Sequence, residues 1–286
     1  MAEDNDADAL RRAAVSGSLD VDPFEPPSSA AALEIAAVSV KGTLRAHNTD
    51  HYLAIKATRG LETLVSSLAE ADLPPVFEEH AYVLLVADGI GSHGEGARAS
   101  RAVLNATAYL AIQYGKWNVR VDTETATAIR KGLQRFFHLA DKALRQTSRT
   151  FRGSRLTTSL TLGVVAGADL FFANVGQSKA FLFRTGHLTP LTSDSLDPLV
   201  TTAIGSLPDD ADVEITQVHL VTDDRLLLCT NGLTDTVSDA EIADGLAVRR
   251  RPSEDCQQLV DLAVLKGSHD DVTVLVADYR HRRARS

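Results

Sequence analysis

The chain has 286 residues, of which 44% are hydrophobic and 23% are charged, and its formal net charge at pH 7 is −9. Such a composition is ordinary for a soluble globular protein with a sizeable core. The acidic surplus argues against nucleic acid or an anionic membrane as the main partner, because both present phosphate groups to a protein.

The two cysteines, Cys229 and Cys256, have no paired spacing. The sequence also shows neither a secretory segment nor an apolar run long enough to cross a bilayer. These features predict a cytoplasmic protein without disulfides or structural zinc. Cys229 lies within an apolar run, and a small buried hydrophobic side chain is its expected role.

The two ends of the chain differ from the rest in composition. "MAEDNDADAL" and "DVDPFEPPSSAA" are rich in Asp, Glu, Pro and Ser, so residues 1–32 are expected to form a flexible acidic tail. Residues 280–286 form a short basic tail, which is more typical of a solvated terminus than of an RNA- or lipid-binding arm. One domain is therefore predicted for residues 33–279.

The first structural signals are two apolar runs typical of strands. These are "LEIAAVSVKG", from residue 33, and "YVLLVADG", at residues 82–89. After "GIGSHGEG" the apolar spacing becomes helical, and a second helix is predicted further on. The apolar face of that second helix is predicted to carry Ile129, Leu133, Phe136, Ala140 and Leu144.

The second half of the chain predicts mainly strands. "LTTSLTLGVVAGADLFFANVGQSKAFLFRTGHLTPLT" has short apolar runs broken by turn residues, as in an antiparallel meander. Strands near 213–220 and 225–230, helices near 238–247 and 253–265, and a final strand "DVTVLVADY" follow. Strands and helices arrive in runs without βαβ alternation, which predicts an α+β fold with helices laid on antiparallel sheets.

Three oxygen-bearing side chains stand where predicted strands begin or end: Asp88 in "VADGIG", Asn231 in "CTNGL" and Asp270 in "GSHDDVTVLV". Such positions suit the oxygen ligands that Mg²⁺ or Mn²⁺ prefers. Taken singly, each is more typical of a plain turn, because Asp-Gly is among the commonest turn pairs.

Six segments, taken in order over about residues 36–278, resemble the metal-dependent protein phosphatase (PPM, type 2C) family in a form common among bacterial members. The six segments are "KGTLRAHNTDHYL", "VADGIGSHGEGARAS", "LTTSLTLGVV", "ANVGQSKAFLFRTGHLTPLTSD", "LLLCTNGLTDTVSD" and "HDDVTVLVA". The resemblance implies a four-layer α-β-β-α sandwich, in which helices flank two antiparallel sheets.

The resemblance also implies a serine/threonine protein phosphatase that hydrolyses phosphoserine and phosphothreonine esters with two Mg²⁺ or Mn²⁺ ions. Two ions neutralise charge on the phosphoryl oxygens and lower the pKa of a bridging water. Arg45 would bind the substrate phosphate through its guanidinium fork, and Asp50 would hold water bound to an ion. The implied metal ligands are Asp88, the backbone carbonyl of Gly89, Asn231 and Asp270. The implied partners are a phosphorylated protein substrate and an opposing Ser/Thr kinase.

Three positions that are commonly acidic in the family are neutral in this sequence: Thr49, Gln177 and Asn231. An amide oxygen can still coordinate the ion, but it brings no negative charge, so weaker metal binding is expected. Two interpretations remain open at this point. The chain is either an active phosphatase with an impaired metal site, or a pseudophosphatase that binds phosphoproteins or regulates a partner.

Two further segments carry weaker signals. His93, in "GSHGEG", is more typical of a helix cap or a solvated side chain than of a ligand. The only tryptophan, Trp117, is expected to pack the connection between two helices. "SDSLDPLVTTAIGSLPDD" lies where family members carry a segment over the active site, and its shortness predicts an open cleft.

Overall fold

The computed structural model describes residues 31–68, 77–91, 94–114, 123–150, 155–192, 203–208, 211 and 213–281. The strands are β1 (Ala31–Val40), β2 (Asp50–Leu61), β3 (Phe77–Ile90), β4 (Thr157–Thr158), β5 (Leu160–Ala166), β6 (Asp169–Val175), β7 (Lys179–Arg184), β8 (His187–Pro190), β9 (Ile215–His219), β10 (Arg225–Cys229) and β11 (Val272–His281). The helices are α1 (Glu95–Tyr114), α2 (Thr123–Thr150), α3 (Asn231–Thr234), α4 (Asp239–Ala247) and α5 (Pro252–Leu265).

The described strands form two sheets. The first has the order β1-β11-β10-β7-β8, and the second has the order β2-β3-β5-β6-β9, with β4 paired to β3 at one end. All of these pairings are antiparallel. The predicted α+β class with antiparallel sheets is therefore confirmed.

Three apolar layers hold the sandwich together, and β10 shows how one strand serves two of them. Leu226 and Leu228 belong to the cluster between the two sheets. Leu227 and Cys229 point the other way, into the cluster that packs α4 and α5 on the first sheet. All five residues of β10 are buried, and a strand covered on both faces reads as a continuous apolar run.

The third layer covers the outer face of the second sheet. Phe137 of α2, which is fully buried, packs there with Val103 of α1 and Leu162 of β5. Helices thus lie outside both sheets, as the predicted four-layer sandwich requires. Among the described residues, no helix is long and apolar enough to cross a membrane.

The strand β2 was not among the predicted elements. It pairs with β3 from Asp50 to Leu61 and forms one edge of the second sheet. Its side chains alternate between half-buried and exposed positions, so it lacks the continuous apolar run that marks β3 and β10.

Parts of the chain discussed from sequence fall outside the described residues. They include His93, Trp117, residues 193–202 and most of the two predicted tails. At the boundaries, β1 begins at Ala31 and β11 ends at His281.

Candidate metal and phosphate site

A cleft of about 400 Å³ lies where strands of both sheets end. The residues predicted from sequence come together here from distant parts of the chain: the end of β3, the residue after β10 and the residues before β11. Those that line the cleft are Arg45, Asp88, Gly89, Asn231 and Asp270.

Asp50 and Asp88 face each other across the two strands that carry them. They are directly paired residues of β2 and β3, and both are buried. Asp50 Oδ2 accepts hydrogen bonds from the hydroxyls of Thr230 and Thr273, each at 2.8 Å. Asp50 Oδ1 is buried and has no hydrogen-bond partner among the described residues. One half of this carboxylate is therefore fixed, and the other half is left without a partner.

The electrostatics of this pair follow from its burial. Burial, and then the charge of Asp270, raises the pKa of Asp88 to about 6. Burial, and then the charge of Asp88, raises the pKa of Asp50 well above its ordinary value. In low dielectric the charge of Asp88 disfavours the charged form of Asp50, and a nearby cation reverses this effect. The arrangement is thus favourable for a cation and unfavourable without one.

The backbone at Gly89 is placed by a close approach between β3 and α1. A Cβ added to Gly89 would overlap the backbone of Gly96, and one added to Gly96 would overlap the Gly89 carbonyl oxygen. The Gly89 N–H donates to the carbonyl of Thr49 at 3.2 Å. The two glycines therefore let the helix meet the strand end without a side chain covering this carbonyl.

Asn231 does not lie in the tight turn that the sequence predicted. It begins the short helix α3, and its Nδ2 donates to Asp235 Oδ2 at 3.1 Å. A carboxylate accepts a hydrogen bond from the amide nitrogen, whereas the amide oxygen has no hydrogen to donate. The amide oxygen therefore points away from Asp235. Asn231 Oδ1 is buried without a partner among the described residues, and Asn231 lines the cleft. Asp235 thus sets the amide so that an oxygen is free to bind a cation.

Arg45 and Asp270 form an ion pair at the mouth of the cleft. Arg45 Nε donates to Asp270 Oδ1 at 2.6 Å, and Arg45 Nη2 lies 2.6 Å from the same oxygen. The side chains are about one-third exposed, at 34% and 31%. The two residues predicted to bind phosphate and metal therefore contact each other directly.

Asp271, which the sequence analysis did not single out, fixes the loop that carries Arg45. Its carboxylate accepts hydrogen bonds from the backbone N–H of Gly42 at 2.8 Å and of Thr49 at 2.7 Å, and from the Thr49 hydroxyl at 2.9 Å. Asp271 is 2% exposed. The three bonds explain why Thr49 is buried behind the cleft and is not a lining residue.

The family of the chain follows from comparison with known proteins. A family model described as Stage II sporulation protein E (SpoIIE) matches residues 78–280, more than half of the chain. The chain belongs to this family of PPM, type 2C, protein phosphatases. The resemblance read from the six sequence segments is thereby confirmed.

Relatives and solved structures agree with this family. The serine/threonine protein phosphatase PstP of Mycobacterium tuberculosis is 31% identical over 219 residues, which are 69% of this chain and 40% of PstP. The serine/threonine phosphatase stp of Listeria innocua is 26% identical, over 68% of this chain and 84% of its own length. The chain thus spans only 40% of the length of the first of these relatives.

The structure of the PstP catalytic domain in complex with two manganese ions superposes on this chain with a TM-score of 0.67 and 26% identity, over 87% of this chain and 99% of that domain. A second structure, of the Mycobacterium tuberculosis phosphatase PstP/Ppp at 1.95 Å, gives a TM-score of 0.66 at 26% identity over the same shares. The sandwich described above is therefore the PPM phosphatase fold.

The oxygen donors of the cleft fit a divalent cation. Compared with the family pattern, they include one carboxylate fewer, because position 231 is Asn. Among the described residues, no three His, Cys, Asp or Glu side chains converge as a metal site. Asp270 is turned to Arg45, and position 231 carries an amide. The remaining donors are all oxygen, which suits Mg²⁺ or Mn²⁺, and the unpartnered Asn231 Oδ1 is free for such an ion.

Two other positions noted from sequence are Gln177 and Cys229. Gln177 is exposed and lines the cleft, and so does Ile90, the last residue of β3. Cys229 is buried, as expected, and burial raises its pKa to about 12, so it is no nucleophile.

The residues that sequence reasoning missed are partners of the predicted ones. Buried threonines within apolar strand runs, Thr230 and Thr273, were the available signal for the hydrogen bonds to Asp50. Asp235 and Asp271 had no such signal, because each is defined by its contact partner and not by its local sequence.

Proposed function

We propose that the protein is a metal-dependent phosphatase that hydrolyses phosphoserine and phosphothreonine esters of proteins, with residues 33–279 as its catalytic domain. One observation carries the proposal: the buried, unpartnered Oδ1 of Asn231 lines the same cleft as Asp88, whose pKa burial and Asp270 raise to about 6. A cleft with an unused oxygen donor and a buried carboxylate to which no described cation is bonded is suited to a cation.

The ions are Mn²⁺ or Mg²⁺, and two are expected, as in the manganese complex of the PstP catalytic domain. When bound, they supply charge neutralisation at the phosphoryl group and a nucleophilic water near neutral pH. The residues that would hold them are Asp88, the Gly89 carbonyl, Asp270 and Asn231. The amide at 231 makes this site weaker than one with a carboxylate in that place.

The chain's own residues have separate tasks. Arg45 binds the substrate phosphoryl group, for which its guanidinium must leave Asp270. The exchange leaves the Asp270 carboxylate available as a ligand. Asp50, fixed on one oxygen by Thr230 and Thr273, keeps its other oxygen toward the Asp88 side of the site, where it accepts a proton or a water hydrogen bond. A phosphorylated protein is the substrate, and the reaction opposes a Ser/Thr kinase.

A second candidate is a pseudophosphatase that binds phosphoproteins without hydrolysis. The observation in its favour is the Arg45–Asp270 ion pair together with the amide at position 231. The guanidinium occupies the carboxylate that a metal would need, and Asn231 brings no charge to displace it. Phosphate recognition by arginine alone requires no metal.

The deciding experiment measures hydrolysis of p-nitrophenyl phosphate and of a phosphothreonine peptide across a titration of Mn²⁺ and Mg²⁺, with Asp88→Asn as the control. We expect metal-dependent turnover, stronger with Mn²⁺, and a loss of at least about a thousandfold in Asp88→Asn, which corresponds to about 4 kcal/mol. Calorimetric titration of Mn²⁺ into both proteins reports the ion directly.

Absence of turnover at millimolar metal, in a protein with a cooperative unfolding transition, would leave the pseudophosphatase. Turnover that persists in Asp88→Asn would remove Asp88 from the site.

A further inference from the structure

The residues that line the cleft fall into two groups that differ in charge. Asp88, Asn231 and Asp270 belong to the metal and phosphate site, with Arg45 paired to Asp270. The cleft is also lined by Arg155, Thr157, Gln177, Ala203 and Ser206, and none of these described lining residues is acidic. This second group therefore offers one cation, one amide and two hydroxyls without a carboxylate among its own members.

Arg155 differs from Arg45 in its contacts. It is exposed and forms no hydrogen bond or ion pair within the described part of the chain, whereas Arg45 is bonded to Asp270. The backbone beside Arg155 is nonetheless fixed. The Leu156 N–H donates to Ser148 Oγ of α2 at 3.0 Å, and the Leu156 side chain is 1% exposed. Arg155 is thus a charged side chain held at the rim of the cleft without a bonding partner there.

The backbone around Ser206, another residue that lines the cleft, is also held firmly. Asp141 of α2 accepts the backbone N–H groups of Gly205 at 2.7 Å and Leu207 at 2.9 Å, which flank Ser206. Thr158 pairs with Ile204 as an isolated bridge. A surface fixed at several points binds a ligand with less loss of conformational entropy than a mobile one.

The size of the cleft leaves room for more than a phosphoryl group. Its volume of about 400 Å³ lies in the range of sites that enclose a drug-sized ligand. A phosphorylated side chain bound at Arg45 fills only part of this space. The remaining space is open to a neighbouring group of the substrate, and Arg155 and Gln177 are among the residues that line it.

We propose that Arg155, with the Gln177 amide that lines the same cleft, binds a second anionic group of the substrate, so that the preferred substrates are phosphopeptides with an acidic or phosphorylated residue next to the target phosphoserine or phosphothreonine. A guanidinium fork matches a carboxylate or phosphate, and Gln177 adds an N–H donor. This inference deepens the phosphatase function proposed above and rests on it. Arg155 acts in substrate selection and takes no part in the chemistry.

The test compares three phosphothreonine peptides that differ only beside the target residue, where they carry Ala, Asp or phosphoserine. The variants are Arg155→Gln, Arg155→Lys and, as a matched control, Arg280→Gln, whose arginine lies at the far end of β11 and is 65% exposed. kcat/KM is measured with Mn²⁺, and the affinity of labelled peptides is measured by fluorescence anisotropy in EDTA, where hydrolysis is suppressed.

We expect the unaltered protein to favour the anionic peptides by about tenfold, or about 1.4 kcal/mol. Arg155→Gln should reduce the preference to within about twofold, whereas Arg155→Lys and Arg280→Gln should keep most of it. A larger gain with the Asp peptide identifies a carboxylate as the bound group, and a larger gain with the phosphoserine peptide identifies a phosphate. Thermal unfolding of each variant verifies that it is folded.

Equal kcat/KM and equal affinity of the unaltered protein for all three peptides would overturn the proposal. A preference for the anionic peptides that persists in Arg155→Gln would overturn it as well. The two measurements, kcat/KM with Mn²⁺ and peptide affinity in EDTA, distinguish an error about Arg155 from an error about the phosphatase function. Turnover without a charge preference removes only the role of Arg155. An Arg155-dependent binding preference without turnover removes only the hydrolysis.

Discussion

Buried charged clusters lie at both ends of the strands β10 and β11, and the two clusters are neutralised differently. At one end, Arg225 is 2% exposed and contacts Asp278 and Asp255, and it also donates to the backbone carbonyl of Arg250 at 2.8 Å. At the other end, the cleft has Asp50 and Asp88 facing each other, and no described cation is bonded to either. The first cluster is closed, and the second is open.

Buried charge thus has a structural role in one cluster and a functional role in the other. Burial raises the pKa of Asp255, but the charges of Arg225 and Arg250 oppose that shift. At Asp50 the second cause, the charge of Asp88, adds to the effect of burial. In the closed cluster the protein supplies the counter-charges itself, and Arg250 Nη1 lies 3.5 Å from the Asp255 Oδ1 that has no hydrogen-bond partner among the described residues. The open cluster leaves an electrostatic cost that a bound cation removes.

The largest expected effect comes from breaking the closed cluster. Arg225→Met removes the cation and leaves Asp255 and Asp278 without their main partner, so the free energy of unfolding should fall by about 3–5 kcal/mol. Urea denaturation in EDTA measures the change. The surface substitution Arg280→Met should change the free energy by less than about 0.5 kcal/mol. A loss below about 1 kcal/mol in Arg225→Met would mean that the cluster contributes little to stability.

The open cluster should respond to pH in the opposite way to an ordinary ion-paired aspartate. Because the pKa of Asp88 is raised to about 6 from 3.8, the folded protein holds this proton more tightly than the unfolded chain. The stabilising contribution is complete below about pH 4 and is lost as the pH rises through about 6. In EDTA, the unfolding temperature should therefore fall across this window, whereas Mn²⁺ should oppose the fall at the upper end.

Matched substitutions at the two clusters sharpen the pH prediction. Asp88→Asn should raise the free energy of unfolding at pH 8 in EDTA by about 1–3 kcal/mol, because it removes a buried charge without a counter-ion. The same substitution in the closed cluster, Asp278→Asn, should lower it. Destabilisation by both substitutions would contradict the distinction between an open and a closed cluster.

The smallest expected effect concerns the neutral ligand. Asn231→Asp should raise Mn²⁺ affinity by about tenfold, or about 1.4 kcal/mol, because a carboxylate adds a charge at the ion. Without metal it should destabilise the protein, since Asp235 lies 3.1 Å from the present amide nitrogen. The double variant Asn231→Asp, Asp235→Asn restores the net charge. It should keep part of the affinity gain and remove the destabilisation. An unchanged affinity in Mn²⁺ calorimetry would place the side chain at 231 outside the ion's contacts.

The fold was largely predictable because most of its elements carry strong local patterns. β3 is buried from residue 81 to residue 89, β10 throughout, and β11 from residue 272 to residue 277, and each of these stretches is mainly apolar. The apolar face of α2 was also visible at helical spacing. The edge strand β2 is buried on one side only and alternates weakly, so its sequence did not distinguish it from a loop.

The site was predictable only in part. Arg45, Asp88, Asn231 and Asp270 do meet in one cleft, as the family resemblance implied. The ion pair between Arg45 and Asp270 was not predictable, because it joins residues that are 225 positions apart in the sequence. Arg155 gave no local signal either, since its place in the lining of the cleft depends on how α2 and β4 pack.

The hydrogen bonds of the Asp271 carboxylate to Gly42 and Thr49 affect the order of folding. The loop that carries Arg45 is closed by hydrogen bonds that span 229 and 222 residues, and β1 pairs with β11 at the two ends of the described domain. Contacts between residues so far apart in the sequence form late, because the chain must first lose the conformational entropy of closing a loop of that length. On a ribosome, the helices and the second sheet can assemble while β11 is still being synthesised. The loop that carries Arg45 is therefore positioned to bind phosphate only after β11 has folded. Phosphate binding is thus a sensitive reporter of complete folding.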